Sequence, residues 1–204
     1  DDGLVLPPKL APIQVVIIPF PVKEGGEKIE EAVSKIIKDL RAKGISVKYD
    51  NDEKTRPGFK FAEHEMRGVP VRLGVGLRDL EKGLVEVARR DTKEKATVEL
   101  EGISDFIEKL LEDIQQNLYI KAHARLTENI HIVNSWDEFT AAIEKGGFVY
   151  AYWDGTTETE LKIKELTGAT TRCIPFDPPT NEKGVCSCVL TGTPTELRVL
   201  FAKA

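Results

Sequence analysis

The sequence predicts an α/β fold followed by a small α+β domain, and three observations carry that expectation. Ile13–Phe20, IQVVIIPF, is a continuous β-branched run, the pattern of a strand buried on both faces of a sheet. Ile29, Ala32, Val33, Ile36, Ile37 and Leu40 then recur at helical spacing, and Ile45–Asp50 alternates as a short strand. Strand, helix and strand make a βαβ unit, almost always right-handed. Past residue 130 the pattern changes to short aromatic strands and short capped helices, which sets residues 131–204 apart as the second domain.

Residues 1–12, DDGLVLPPKLAP, are Pro-punctuated without a helical period and read as a connector leaving a preceding structure. Gly25-Gly26 breaks the chain before the first helix, and Gly44 is its stop. The stretch Pro57–Gly83, PGFKFAEHEMRGVPVRLGVGLRDLEKG, opens on Pro-Gly and continues as a short charged helix. A strand at Val69–Val75 and a turn over Gly76–Gly83 complete it. Leu84–Arg90 and Lys95–Leu100 read as strands joined through Asp91–Glu94. From Ile103 to Glu128 the longest helix presents Ile103, Phe106, Ile107, Leu110, Leu111, Ile114 and Leu118 as one apolar stripe. Its more charged second half, from Tyr119, is expected to protrude.

In the second domain Ser135 and Glu138 form a capping box, with Trp136, Phe139 and Ile143 turned inward. Phe148–Trp153 is an aromatic strand, and Glu158–Thr167 a helix. Thr170–Pro175, Val185–Leu190 and Glu196–Ala202 complete it as strands, with the turn-rich DPPTNEKG between the first two.

Composition narrows the function. A chain of 204 residues, 41% hydrophobic and 31% charged, is that of a well-folded globular protein. No apolar run approaches bilayer length and no signal-peptide pattern opens the chain. Three cysteines, an odd number, do not make a disulfide framework, so a reducing cytoplasm is expected. With a net charge of −5, nucleic acid is not wrapped over the whole surface, and any such contact is local. Gly74-Val-Gly76 is too sparse for a phosphate loop. The three histidines belong to no triad or ligand group, so His64, His123 and His131 read as solvated surface residues.

One place breaks the acidic balance. Between Lys54 and Arg90 nine Lys/Arg face five Asp/Glu, a positive island where an anion can dock. The plain alternative pairs Arg67, Arg72, Arg78, Arg89 and Arg90 with Glu63, Glu65, Asp79 and Glu81 on the surface. Against it stand Phe61, an aromatic among polar neighbours suited to stacking on an unpaired base, and Glu65, an acceptor for guanine N1–H and N2–H. Arginine forks reach guanine O6 and N7, and Arg72 and Arg78 flank one strand. A phosphate grip alone would need only positive charge.

GLVLPPKLAPIQVVIIPF, then PGFKFAEHEMRGVPVRLGVGLRDLEKG, then CIPF and VCSC resemble, in order from residue 3 to the end, prolyl-tRNA synthetase of the archaeal/eukaryotic type, a class II enzyme. The resemblance implies an anticodon-binding domain over 13–130, a five-stranded mixed sheet flanked by helices, then a zinc-binding-like α+β domain over 131–204. It implies a catalytic core before residue 1 that holds the ATP, Mg and proline sites and makes the full enzyme a homodimer. The chain alone is then inactive, and its partner is the anticodon stem-loop of tRNA(Pro). Carried over by position, Phe61 stacks on the anticodon, Glu65, Arg72 and Arg78 read its two guanines, and Lys60 is a supporting phosphate contact. The family usually has Glu at Gly74 and Pro at Leu77, so a polar contact is lost and the turn before Arg78 is loosened.

Cys186 and Cys188 match the family's C-terminal ligand pair, and its other two ligands fall at Asp154 and Thr159, with Glu158 as a substitute for the threonine. Zinc is one reading. The preferred one is a metal-free domain whose apolar core replaces the metal and buries Cys173 as a small hydrophobe. A different functional class also stands open, a regulatory or protein-interaction module on the same fold. Retention of Phe61, Glu65, Arg72 and Arg78 speaks against it.

Overall fold

A computed structural model describes residues 2–179 and 186–203. The chain divides into two compact units, Asp1–Lys121 and Ala122–Ala204, each considered by itself.

The first unit runs β1 (Val15–Pro19), α1 (Gly26–Ala42), β2 (Val47–Tyr49), α2 (Pro57–Met66), β3 (Val71–Val75), α3 (Leu77–Leu80), β4 (Leu84–Arg89), β5 (Lys95–Glu99) and α4 (Ile103–Glu128). Its sheet has five strands in the order β2-β1-β3-β4-β5. β1 lies parallel to β2 and β3, whereas β3–β4 and β4–β5 are antiparallel. The expected mixed sheet is therefore present. Two crossovers produce its parallel half and two short connections its antiparallel half.

Val15–Ile18 are fully buried because both faces of β1 are covered. Val15 and Ile17, with Val71, Leu73, Val75, Val85 and Val87, pack against the stripe of α1 (Ile29, Val33, Ile36, Leu40) and that of α4 (Ile103, Ile107, Leu111, Ile114). Val16 and Ile18 pack on the opposite face with Val69, Ile13 and Phe61. Register continues that second face across the sheet. Val16 is beside Arg72 and Ile18 beside Gly74; Arg72 faces Ala88 and Gly74 faces Glu86; Ala88 and Glu86 face Lys95 and Thr97. Apolar under α2, this face turns polar toward β5, where Lys95 and Thr97 are exposed.

Two readings of this unit change. Gly76–Gly83 is a turn that contains the one-turn helix α3, whose Leu77 and Leu80 pack on the core. Phe106 is 40% exposed and stands off the stripe of α4. Tyr119–Asn129 are exposed throughout, and the division between units falls inside α4.

The second unit comprises β6 (Ile130–Ile132), α5 (Trp136–Lys145), β7 (Phe148–Tyr152), α6 (Thr157–Thr167), β8 (Ala169–Cys173) and β9 (Arg198–Lys203), with sheet order β6-β7-β9-β8. The capping box of Ser135 and Glu138 opens α5. Phe139 packs edge-on against Phe201, their centroids 5.1 Å apart. The strand expected at Val185–Leu190 does not form over its described residues: Ser187 makes a single bridge to Pro194, and Val189 and Leu190 turn. Val185 and residues 180–184 lie outside the described residues.

Candidate nucleic-acid interface

α2 begins where Pro57 supplies a fixed φ at the first helical position, where no N–H is needed. It ends at Gly68, whose φ of +75° a side chain rarely adopts and whose Cα is approached by Leu4 and Leu6. One turn apart on its inner face stand Lys60 and His64, 3% and 1% exposed.

Both residues correct the sequence reading. Lys60 Nζ donates to the Asp50 carbonyl at 2.8 Å and pairs with Asp50 Oδ1 at 3.2 Å, so it is an internal tie and not a phosphate contact. His64 is no surface residue; its Nε2 is 2.8 Å from Asp50 Oδ2. Burial pushes the Asp50 carboxyl up, but hydrogen bonds from His64 and Lys60 outweigh it and hold the group below its usual range. The apolar face of α2 alternates with charged residues in sequence, and that disguised the inward pair.

Phe61 sits at the edge of the covered face and meets Arg72, whose guanidinium carbon lies 3.7 Å from the ring centroid. Phe20 packs edge-on against the same ring at 6.2 Å. Arg72 is 5% exposed. Its Nη1 donates to Glu86 Oε1 at 2.8 Å, and its Nη2 is buried with no partner. Glu86 stands directly across from Gly74. A Cβ at Gly74 would come 3.0 Å from the Phe20 ring and 3.3 Å from Glu86 Oε1. The absent side chain at 74 thus makes room for a ring and for a carboxylate supplied by the next strand. Leu77 is held as well, packed on the core and against Gly25.

A pocket of about 150 Å³ opens here, lined by Phe61, His64, Glu65, Arg72, Arg90 and Lys93 among others. Glu65 is exposed at its rim. Phe61, Glu65 and Arg72 are therefore gathered at one site. Arg78 is not among its lining residues: it is exposed on α3, beyond the end of β3, which itself runs about 10 Å past Arg72.

The surface-pairing alternative holds for Arg67, while Arg89 is paired with acids other than the four it offered. Arg67 pairs with Glu63 at 2.5 Å, and Arg89 with Asp91 and Asp113 at 2.7 and 2.8 Å. Those hydrogen bonds, Asp91's first, raise the Arg89 guanidinium further above its usual range against the effect of burial. Arg90 spends its donors on the carbonyls of Leu4, Glu65 and Asp2. Sequence reasoning missed His64, Glu86 and Phe20; alternation in β4 is the signal that puts Glu86 on the face of Ala88, but its partner becomes visible only once β3 and β4 pair.

A larger crevice of about 500 Å³ lies beyond the carboxyl ends of β1 and β2, lined by Phe20, Glu30, Asp52, Lys54, Arg56 and Lys60 among others. Its charges are of both signs, and its one buried cation is already paired with Asp50.

In the second unit the proposed metal residues are arranged differently. The Asp154 carboxylate accepts from Thr159 Oγ1 at 2.7 Å, Thr156 Oγ1 at 2.9 Å, Thr191 Oγ1 at 3.0 Å and the Thr156 amide at 3.1 Å. Burial alone would raise its pKa; these donors, Thr159 first, bring it below the usual range. Cys188 is buried and Cys186 half-buried. Among the described residues no three of His, Cys, Asp and Glu converge, so Asp154 and the two cysteines do not form a ligand set there. Cys173 is exposed at the end of β8, not the small buried hydrophobe expected.

With this geometry in view, the comparison with known proteins can be read residue by residue. Residues 14–110 match the anticodon binding domain family, and residues 136–204 match the family described as prolyl-tRNA synthetase, C-terminal. It is 55% identical over 205 residues to a proline–tRNA ligase of Phocaeicola vulgatus, 54% over 206 to one of Cytophaga hutchinsonii and 52% over 206 to one of Christiangramia forsetii. Each alignment takes in 100% of this chain and 41% of the relative, so the chain spans about two fifths of those proteins. The pocket beside Phe61 and Arg72 lies within the residues that match the anticodon binding domain family. No helix among the described residues is long and apolar enough to cross a membrane.

Proposed function

We propose that this chain is the tRNA-recognition part of a prolyl-tRNA synthetase, reading the anticodon guanines so that an ATP-dependent core elsewhere in the parent enzyme joins proline to the right tRNA. One observation carries the reading. Arg72 is buried, stacked on Phe61 and tied to Glu86, yet keeps Nη2 unused in the wall of a pocket that Glu65 rims. A buried donor without a partner costs about 1–3 kcal/mol, a cost that a ligand offering guanine O6 or N7 removes. Arg72 holds the Phe61 ring face as a base would. An entering base takes that face, and the guanidinium moves onto the base edge.

Glu65 accepts from the base's N–H groups, and Arg78, exposed at the other end of β3, serves the second guanine. The partner is the anticodon stem-loop of tRNA(Pro). The archaeal/eukaryotic subtype rests on the run KFAEHEMRGVPVR…GLRD, and the parent enzyme is taken as a homodimer through its core, acting in the cytoplasm. Glu65→Ala or Arg78→Ala should weaken binding of a proline anticodon hairpin and barely alter binding of a hairpin with both guanines changed. Equal losses on the two hairpins would reduce the site to an electrostatic role.

The protein-interaction reading draws on Phe59 and Met66, 66% and 51% exposed on the outer side of α2. That surface is separate from the pocket, and a gel shift with the hairpin decides between the readings. For the C-terminal domain we propose a metal-free state. Asp154 is fully engaged by threonines, and two cysteines supply half of the ligands a structural zinc needs. Stoichiometric zinc on elemental analysis would overturn this.

A further inference from the structure

His64 is the second side chain of the pocket wall whose hydrogen-bonding capacity is buried and unused: the residue is 1% exposed, and its Nδ1 has no partner. The first is Arg72, through Nη2. The two atoms differ in kind. Asp50 is held as a carboxylate, which can only accept, so the proton on His64 Nε2 points to Asp50 Oδ2 at 2.8 Å. With the ring carrying that one proton, Nδ1 is the acceptor. Lys60, bonded to the Asp50 carbonyl and to Oδ1, fixes the carboxylate from behind. The chain Lys60–Asp50–His64 therefore sets the tautomer of a ring that lines the pocket.

We propose that His64 is a specificity-determining residue of this site, its Nδ1 accepting a hydrogen bond from the exocyclic amine of the bound guanine while Arg72 Nη2 donates to the opposite edge. This rests on the anticodon-reading function above and adds a contact to it. Glu65, exposed at the rim, takes N1–H and one amine hydrogen. His64, at the wall, takes the second. A donor and an acceptor left over in one pocket match a base edge that offers an acceptor and a donor, and do not match a phosphate, which only accepts. Lys60 and Asp50 act through His64 and are positioning residues.

The test is a coupling measurement on the 204-residue chain. Hairpins carry either both anticodon guanosines or an inosine at one of the two positions; inosine lacks only the 2-amino group. The unaltered chain should bind the inosine hairpin roughly tenfold more weakly at the position His64 reads. His64→Gln keeps a group where Nε2 stands, and with it the bond to Asp50, but removes Nδ1; it should shrink that ratio several-fold and leave the ratio at the other position alone. His64→Asn keeps a group where Nδ1 stands and should restore the ratio, at some cost in thermal stability. An unchanged ratio in His64→Gln, or a ratio lost in both variants, would overturn the proposal and return His64 to core packing. If the unaltered chain shows no guanine-dependent binding at all, the anticodon-reading function fails together with it; binding that depends on guanine but not on His64 defeats this proposal alone.

Discussion

Arg72 in the first unit and Asp154 in the second are both charged groups tied into side-chain clusters, the first buried and the second half-exposed, and they are treated in opposite ways. Asp154 is surrounded by donors from Thr156, Thr159 and Thr191, so its acceptor capacity is spent inside its own unit. Arg72 has one nitrogen bonded, a ring beneath its plane and one nitrogen left over, next to a pocket. A saturated polar cluster stabilises a fold and has nothing left to offer a ligand. An unsaturated one lowers stability and persists where a ligand completes it. The difference separates a cluster closed within its own unit from one left open at a pocket.

The sharpest way to break this contrast is Arg72→Ala. Binding of the guanine-containing hairpin should fall on the order of 10- to 100-fold, as for loss of one good base contact, while stability on urea unfolding falls by about 1–3 kcal/mol because Glu86 and Phe61 lose a partner. A large loss of stability with unchanged RNA binding would make Arg72 the structural residue. Asp154→Ala is the mirror experiment. It takes the acceptor from the buried Thr159 hydroxyl, while Thr156 and Thr191 are exposed to water, and should cost about 1 kcal/mol on urea unfolding, with hairpin affinity unaltered.

Asp50→Asn probes the inner tie through pH. The folded carboxyl lies below its ordinary value, so its contribution is complete above the ordinary carboxylate range and is lost as pH falls through the folded value. The stability gap between the unaltered chain and Asp50→Asn, about 1–3 kcal/mol near neutrality, should close below pH ~4. The smallest effect is expected from Arg67→Ala. Its partner Glu63 is an exposed neighbour one helical turn away, and such pairs contribute about 0.3–0.5 kcal/mol. A larger loss, or a guanine-dependent loss of RNA binding, would draw Arg67 into the site.

Departures at Gly74 and Leu77 show how the same residue looks different in sequence and in space. Along the chain, Gly74 is a missing polar side chain. Across the sheet it is the gap that Phe20 and the carboxylate of Glu86 fill. Leu77, read as a loosened turn, is a core residue that starts α3. Neither compensation is local, so neither could be read from neighbours in the chain.

What the sequence by itself determined is whatever depends on residues close along the chain. The β-branched run of β1, the helical stripes of α1 and α4 and the capping box of α5 all rest on local periodicity and caps. The quoted motifs also placed Phe61, Glu65 and Arg72 in one stretch. Tertiary structure alone decided which polar groups are satisfied. Lys60 and His64 sit on a charged helix, yet turn inward because Asp50, at the end of β2, meets them there. Asp154 finds its donor Thr191 across 37 residues of chain. Burial and hydrogen-bond pairing are set by what packs opposite, and for Arg72 that is Glu86, one strand over in a sheet whose register no single strand encodes.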